Sequence, residues 1–167
     1  MKKLLCLVLL LSGCAHLGDW KINGIPAERF KEAGAKEYFQ LAGGAGLSIL
    51  THWLGHVAFL EIQGAEWHQD GLSEVYSAKD LTESENRCMG RSGFVAQLLG
   101  GAALKWSPWS ESWWVTGYHV GTVAEIVTYP LHGHDIGDLE TIRQHGGDAE
   151  LEYGLYSLTA LWLMGPY

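Results

Sequence analysis

Two histidines set the chemistry open to this chain. His52 and His56 stand four residues apart in a stretch, Leu41 to Leu60, that contains no Asp, Glu, Lys or Arg. On a helix that spacing puts both imidazoles on one face, close enough to hold one metal ion. Gln63 falls on the same face about three turns after His52. Two histidines on an otherwise uncharged apolar helix are costly to bury, which argues for a task beyond packing. The plainer alternative is that each is a hydrogen-bonded interior residue.

The other reactive residue types form weaker patterns. His132, His134 and Asp135 crowd a segment after Pro130 and are chemically able to complete a metal site. His119 and Glu125 are six apart on an apolar helix and so face different directions, each toward its own partner. His16, His68 and His145 lie in polar segments and read as solvated. Asp138, Glu140 and Asp148 read as a solvated face with acidic residues biased toward helix N-termini. Gly90-Arg-Ser-Gly93 is too short for a nucleophile elbow, and Gly43-Gly44-Ala-Gly46 lacks the Lys-Ser/Thr of a phosphate loop. Cys88 sits in a polar segment beside Arg87, a lone thiol without an identifiable partner.

The elements that must position these residues are helical. Leu41–Leu60 is 20 residues long, enough to cross a hydrocarbon core as a helix. Ser92–Leu104, Trp113–Leu131 and Leu151–Met164 give three more apolar helices, with short helices expected at Ala27–Ala33 and Asp138–His145. Gly117-x-x-x-Gly121 is a small-residue spacing that lets another helix backbone come close. Gln69–Met89 is polar and charged and reads as a loop. Four tryptophans crowd Lys105–Trp114 around the helix-breaking Pro108, the composition of a membrane–water interface. No strand alternation persists and no internal repeat is evident. The expected fold is all-α, a bundle of about four apolar helices over residues 35–167. Little amphipathic contrast along them favours helices embedded or half-embedded in a membrane.

Composition bounds the function further. The chain has 167 residues, 47% of them hydrophobic and 18% charged, with mean hydropathy +0.01, which excludes intrinsic disorder. Its net charge of −8 and the lack of a basic stripe exclude nucleic acid as a partner. Eight Trp beside 22 Gly suit closely packed helices at a membrane.

The N-terminus has the build of a targeting segment. Lys2 and Lys3 precede an apolar run, Leu4 to Leu11, and Leu11-Ser12-Gly13-Cys14 closes it. This resembles a bacterial lipoprotein signal peptide, whose terminal cysteine is acylated and becomes the new N-terminus. The resemblance implies a leader over residues 1–13, a palmitoylated Cys14, a tether over residues 14–34, and a place in the cell envelope. Ala15 follows the cysteine instead of the inner-membrane retention aspartate, so an outer membrane is favoured in a host with two. Cleavage leaves 9 basic against 19 acidic side chains and isolates Cys88, so no intrachain disulfide is expected.

The histidine helix carries a second resemblance. His52-Trp-Leu-Gly-His56, with Gly64 eight residues on, is similar to the zinc helix of the membrane-embedded site-2 protease family, His-Glu-x-Gly-His. Trp53 stands where that family has the glutamate that serves as general base. Indole cannot accept a proton, and Glu61 points away from the His face. The family's third ligand comes from Asn-x-x-Pro-x-x-x-x-Asp-Gly. Here Pro130 and Asp135 keep that spacing, with Val127 and Ile136 in place of Asn and Gly. The resemblance therefore implies zinc on His52, His56 and Asp135, in a pseudoenzyme that has lost proteolysis. A live hydrolase would need a recruited base such as Glu66 or Glu125. The rival expectation is a structural lipoprotein that contacts an envelope protein or peptide and uses its histidines only for packing.

Overall fold

The structure, a computed structural model, describes residues 21–70, 74–77, 80–129 and 137–165. The leader and Cys14 lie outside the described residues. The fold is mainly helical, with six helices among the described residues: α1 (Ala27–Lys31), α2 (Ala35–Ile62), α3 (Glu83–Lys105), α4 (Trp113–Thr128), α5 (Asp138–Gln144) and α6 (Ala149–Met164). Two short antiparallel hairpins accompany them, β1 (Lys21–Ile22) with β2 (Ile25–Pro26) and β3 (Trp67–Asp70) with β4 (Glu74–Ser77). The all-α expectation is thus corrected by these two ribbons.

Each correction has a local cause. Asn23 and Gly24 both take positive φ, 49° and 81°, the backbone that closes a two-residue hairpin. Asn23 is fully buried, and its N–H donates to the Met164 carbonyl at 3.0 Å, so this ribbon is pinned to the end of α6. Within the segment read as a loop, Trp67 pairs with Ser77 and His68 with Tyr76. Its last third, from Glu83 on, is already α3. Thr82 and Glu85 form a reciprocal cap, the Thr82 N–H donating to Glu85 Oε2 (2.7 Å) and the Glu85 N–H to Thr82 Oγ1 (3.3 Å). Cys88 consequently stands exposed on a helix and not in a loop.

Glycine decides how closely α2 meets its neighbours. A Cβ on Gly117 would collide with the Leu41 carbonyl, and one on Gly121 would lie 2.8 Å from Ala45 Cα, so α4 lies backbone-to-backbone on α2. A Cβ on Gly55 would collide with the Ser92 carbonyl on α3. The small-residue spacing expected to admit a helix does so.

The faces of α2 are inverted relative to an ordinary surface helix. Inward it presents Gly44, Ser48, His52, Gly55, His56 and Leu60. Outward it shows Leu47, Ile49, Leu50 and Leu54. On α6, Leu151, Leu155, Leu158 and Trp162 form a second exposed apolar row at helical spacing. Among the described residues α2 alone is long and apolar enough to cross a membrane, with a mean hydropathy of 1.2 over an 18-residue window. One cluster of buried hydrophobic residues, Phe94, Ile126, Leu139, Ile142, Ala149 and Ala160, lies between α3, α4, α5 and α6.

Candidate metal centre

His52 and His56 face the crossing of α2 with α3, one turn apart and both buried. Their Nε2 atoms are 3.1 Å from each other. The carboxylate of Asp138, the first residue of α5, closes the triangle: Oδ2 lies 2.8 Å from His52 Nε2 and Oδ1 lies 3.3 Å from His56 Nε2. This corrects the reading of Asp138 as part of a solvated face. Its side chain is 15% exposed and lies between two imidazoles. Among the described residues His52, His56 and Asp138 form the group able to hold a metal ion, their donor atoms all within 4.8 Å of one another. Asp135, His132 and His134 lie outside the described residues.

Asp138 reaches the histidines because α5 packs onto a glycine. A Cβ on Gly90 would lie 2.7 Å from the Asp138 carbonyl and 3.0 Å from Ile142 Cγ1. The Asp138 N–H donates to the Tyr129 hydroxyl at 2.5 Å, and Leu139 and Ile142 anchor the helix in the core. Phe94 stacks edgewise on His52 with ring centroids 4.9 Å apart, excluding water from that side.

Four features test whether these residues suit a cation. Tetrahedral zinc with bonds of about 2.0–2.1 Å sets its ligand atoms roughly 3.3 Å apart; the two Nε2 atoms are 3.1 Å apart, and Asp138 meets one of them through each of its carboxylate oxygens, at 2.8 and 3.3 Å. Next, the tautomer of His56 is fixed. The Met89 carbonyl lies 3.0 Å from Nδ1 and is an acceptor, so Nδ1 carries a hydrogen, and in the neutral ring the Nε2 lone pair faces the site. Ser92 Oγ lies 3.0 Å from the same nitrogen and donates its own hydrogen to Met89. Third, Gly93 leaves room: a Cβ there would lie 2.5 Å from Nε2 of both histidines. Fourth, His52 Nδ1 and Gln97 Oε1 are buried without a hydrogen bond of good geometry, which leaves only weaker contacts of the ring with Gln97 and with Glu125.

The electrostatics favour positive charge at this point. Burial by itself would push the Asp138 carboxyl up, but the charge of His56 and the hydrogen bonds of His52 and His56 hold it down at about 2. Burial would lower His52, yet the hydrogen bond and charge of Asp138, the charge of Glu125 and a hydrogen bond with Gln97 together raise it. Glu125 Oε1 lies 3.5 Å from His52 Nδ1, on the ring edge turned away from Asp138. His119 goes elsewhere, its Nε2 donating to the Gly101 carbonyl at 2.9 Å and its Nδ1 meeting Asn23 Oδ1 at 3.1 Å. Trp53, next to His52 in the chain, packs edgewise on Trp67 at 5.6 Å.

Sequence reasoning finds the histidine pair and misses Asp138, Gly93 and Gln97. Asp138 is separated from His52 by 86 residues, and Gly93 and Gln97 carry no charge that would flag them. Compared with protein-family models, curated proteins and solved structures, the chain has no significant match.

Proposed function

We propose that this chain is a cell-envelope lipoprotein, acylated at Cys14, that holds one zinc ion between His52, His56 and Asp138 and does not cleave peptides. The observation that carries the metal reading is the convergence of two imidazole nitrogens and one carboxylate, their donor atoms within 4.8 Å of one another, with both Nε2 atoms lying against the missing Cβ of Gly93. Imidazole nitrogen with carboxylate oxygen is a donor set that suits zinc. Zinc bound there supplies a Lewis acid and a tie between α2 and α5. His52 and His56 hold it from one helix and Asp138 from the other.

The loss of proteolysis rests on the proton acceptors at hand. Trp53 offers only an N–H. Glu125 accepts from Gln97 Nε2 at 2.7 Å and addresses His52 from the ring edge opposite the donor triangle. Glu66 is exposed beyond the end of α2. The apolar outer rows of α2 and α6 favour a bundle of apolar helices seated against the membrane to which Cys14 would tether it.

Those same rows favour a second reading, a structural lipoprotein that contacts an envelope protein or peptide and binds no metal. Mass spectrometry separates the two. The mature protein, purified without chelator or affinity-tag metal, should carry about one zinc per chain. A His52→Ala/His56→Ala variant should carry none. Absence of metal from both proteins refutes the metal reading and leaves the interaction reading.

A further inference from the structure

We infer that Glu125 and Gln97 are positioning residues for this metal centre: they hold a hydrogen on His52 Nδ1 and thereby turn the His52 Nε2 lone pair toward the cation. The inference rests on the metal reading and adds a role for two residues outside the ligand triangle. Nothing in the His-Trp-Leu-Gly-His helix points to either of them.

The argument follows the hydrogens. Thr122 donates to the Tyr118 carbonyl at 2.9 Å. Its hydroxyl hydrogen is thereby used, so in the 2.9 Å contact between Ser48 and Thr122 the donor is Ser48. Ser48 in turn accepts from Gln97 Nε2 at 2.6 Å. The other hydrogen on Gln97 Nε2 goes to Glu125 Oε2 at 2.7 Å. Both amide hydrogens are committed, which fixes the orientation of the Gln97 amide and leaves its Oε1 as an acceptor. That oxygen is buried without a hydrogen bond of good geometry.

Glu125 Oε1 lies 3.5 Å from His52 Nδ1 and Gln97 makes a weaker hydrogen-bond contact with the same ring, so the far edge of His52 is offered acceptors. A lone pair on Nδ1 would face oxygen alone, so the hydrogen belongs on Nδ1. In a neutral ring Nε2 is then bare, and it faces Asp138 Oδ2 at 2.8 Å and His56 Nε2 at 3.1 Å, which are both electron-rich. Positive charge satisfies all three: a zinc ion in the loaded protein, or in its absence a proton on Nε2 donated to Asp138. His56 receives the same tautomer from Met89. The two histidines are thus oriented by different means, one by a backbone carbonyl and one by a buried side-chain relay, as outer partners orient metal-binding imidazoles in general.

Glu125→Gln tests this, because the replacement keeps the shape. Its carbonyl can still accept from Gln97, and its amide then donates toward His52 Nδ1, favouring the opposite tautomer. The measurements are zinc affinity by chelator competition, thermal unfolding in chelator and in zinc, and 15N histidine NMR of the zinc form to identify the protonated ring nitrogen. Glu140→Gln, a half-buried site of equal charge change whose carboxylate pairs with Arg143, is the control. The expected result is affinity reduced 10–100-fold in Glu125→Gln, unchanged in Glu140→Gln, with unfolding in chelator within about 2 °C of the parent. Equal zinc affinity in Glu125→Gln and the parent, or an N–H on Nε2 of His52 in the zinc form, overturns the positioning role while the metal site stands. A similar loss of melting temperature with and without zinc makes the residue structural and also overturns it. A parent protein that binds no zinc overturns the metal reading, and this one with it.

Discussion

Gly93 on α3 faces Nε2 of His52 so closely that a Cβ at this position would lie 2.5 Å from it, and equally 2.5 Å from Nε2 of His56. The glycine thus shapes the floor of the candidate metal centre from a helix that supplies no ligand. The close crossing of α2 and α3 at Gly55 brings this floor to the histidines.

Gly93→Ala should therefore abolish zinc binding while leaving the fold intact. The nearest atoms an added methyl meets belong to the His52 and His56 imidazoles, and alanine gains about 1 kcal/mol over glycine in a helix interior. We expect zinc affinity to fall at least about 100-fold, since both first ligands move. Circular dichroism should stay the same, and unfolding in chelator should shift by no more than about 1–2 kcal/mol. Zinc retained at parental affinity would show that the ion does not sit in the Gly93 gap.

The third ligand can be assigned by two substitutions. Asp138→Ala removes the carboxylate that stands 2.8 Å from His52 and should eliminate binding measurable by chelator competition. Asp135→Ala should weaken zinc by less than about tenfold, below the roughly 10–100-fold typical of a group that orients a metal ligand. The reverse order of effects would return the ligand role to the aspartate that the Pro130 spacing suggests.

How much of this was legible depends on how local each feature is. The i,i+4 spacing of His52 and His56 is a helical property, and α2 realises it. Gly117 and Gly121 likewise announce a close helix approach that Leu41 and Ala45 provide. Asn23-Gly24 and Thr82–Glu85 are turn and cap signals present in the chain, masked by the polar composition around them. Asp138 is different in kind. Seen along the sequence it is an acidic residue at a helix start, and only the packing of α5 on Gly90 turns it toward His52. Gln97 and Ser48 are illegible for the same reason: an uncharged polar residue declares no role until its partners are known.

The glycines at helix crossings should separate sharply from those on open faces. Gly117→Ala drives a methyl into the Leu41 carbonyl, which is backbone and cannot turn aside. Gly154 on α6 has nothing within 4 Å of an added Cβ. Chemical denaturation should show Gly117→Ala destabilised by about 1–3 kcal/mol or more. Gly154→Ala should be stabilised by up to about 1 kcal/mol. Similar values for the two would mean that α4 does not lie against α2 as described.

Acid stability should depend on a pair that binds α3 to α6. Arg91 Nε and Nη2 donate to Glu152 at 2.8 and 2.6 Å, and the Tyr156 hydroxyl donates to the same carboxylate at 3.0 Å. The Arg91 hydrogen bonds hold the Glu152 carboxyl below its ordinary value of 4.5, outweighing the upward push of burial, with Tyr156 adding in the same direction. A carboxyl lowered in the folded state binds its proton more readily once unfolded, so its contribution is fully present above pH 4.5. That contribution is lost as pH falls through the lowered folded value. Glu152→Gln, which has no proton to take up, should be less stable than the parent near neutral pH. The difference should shrink as acid is added below pH 4.5, because the parent then loses the same interaction. Unfolding midpoints measured across that range in chelator would reveal this convergence. A difference that stays constant with pH would mean that the carboxylate charge contributes nothing to the α3–α6 contact.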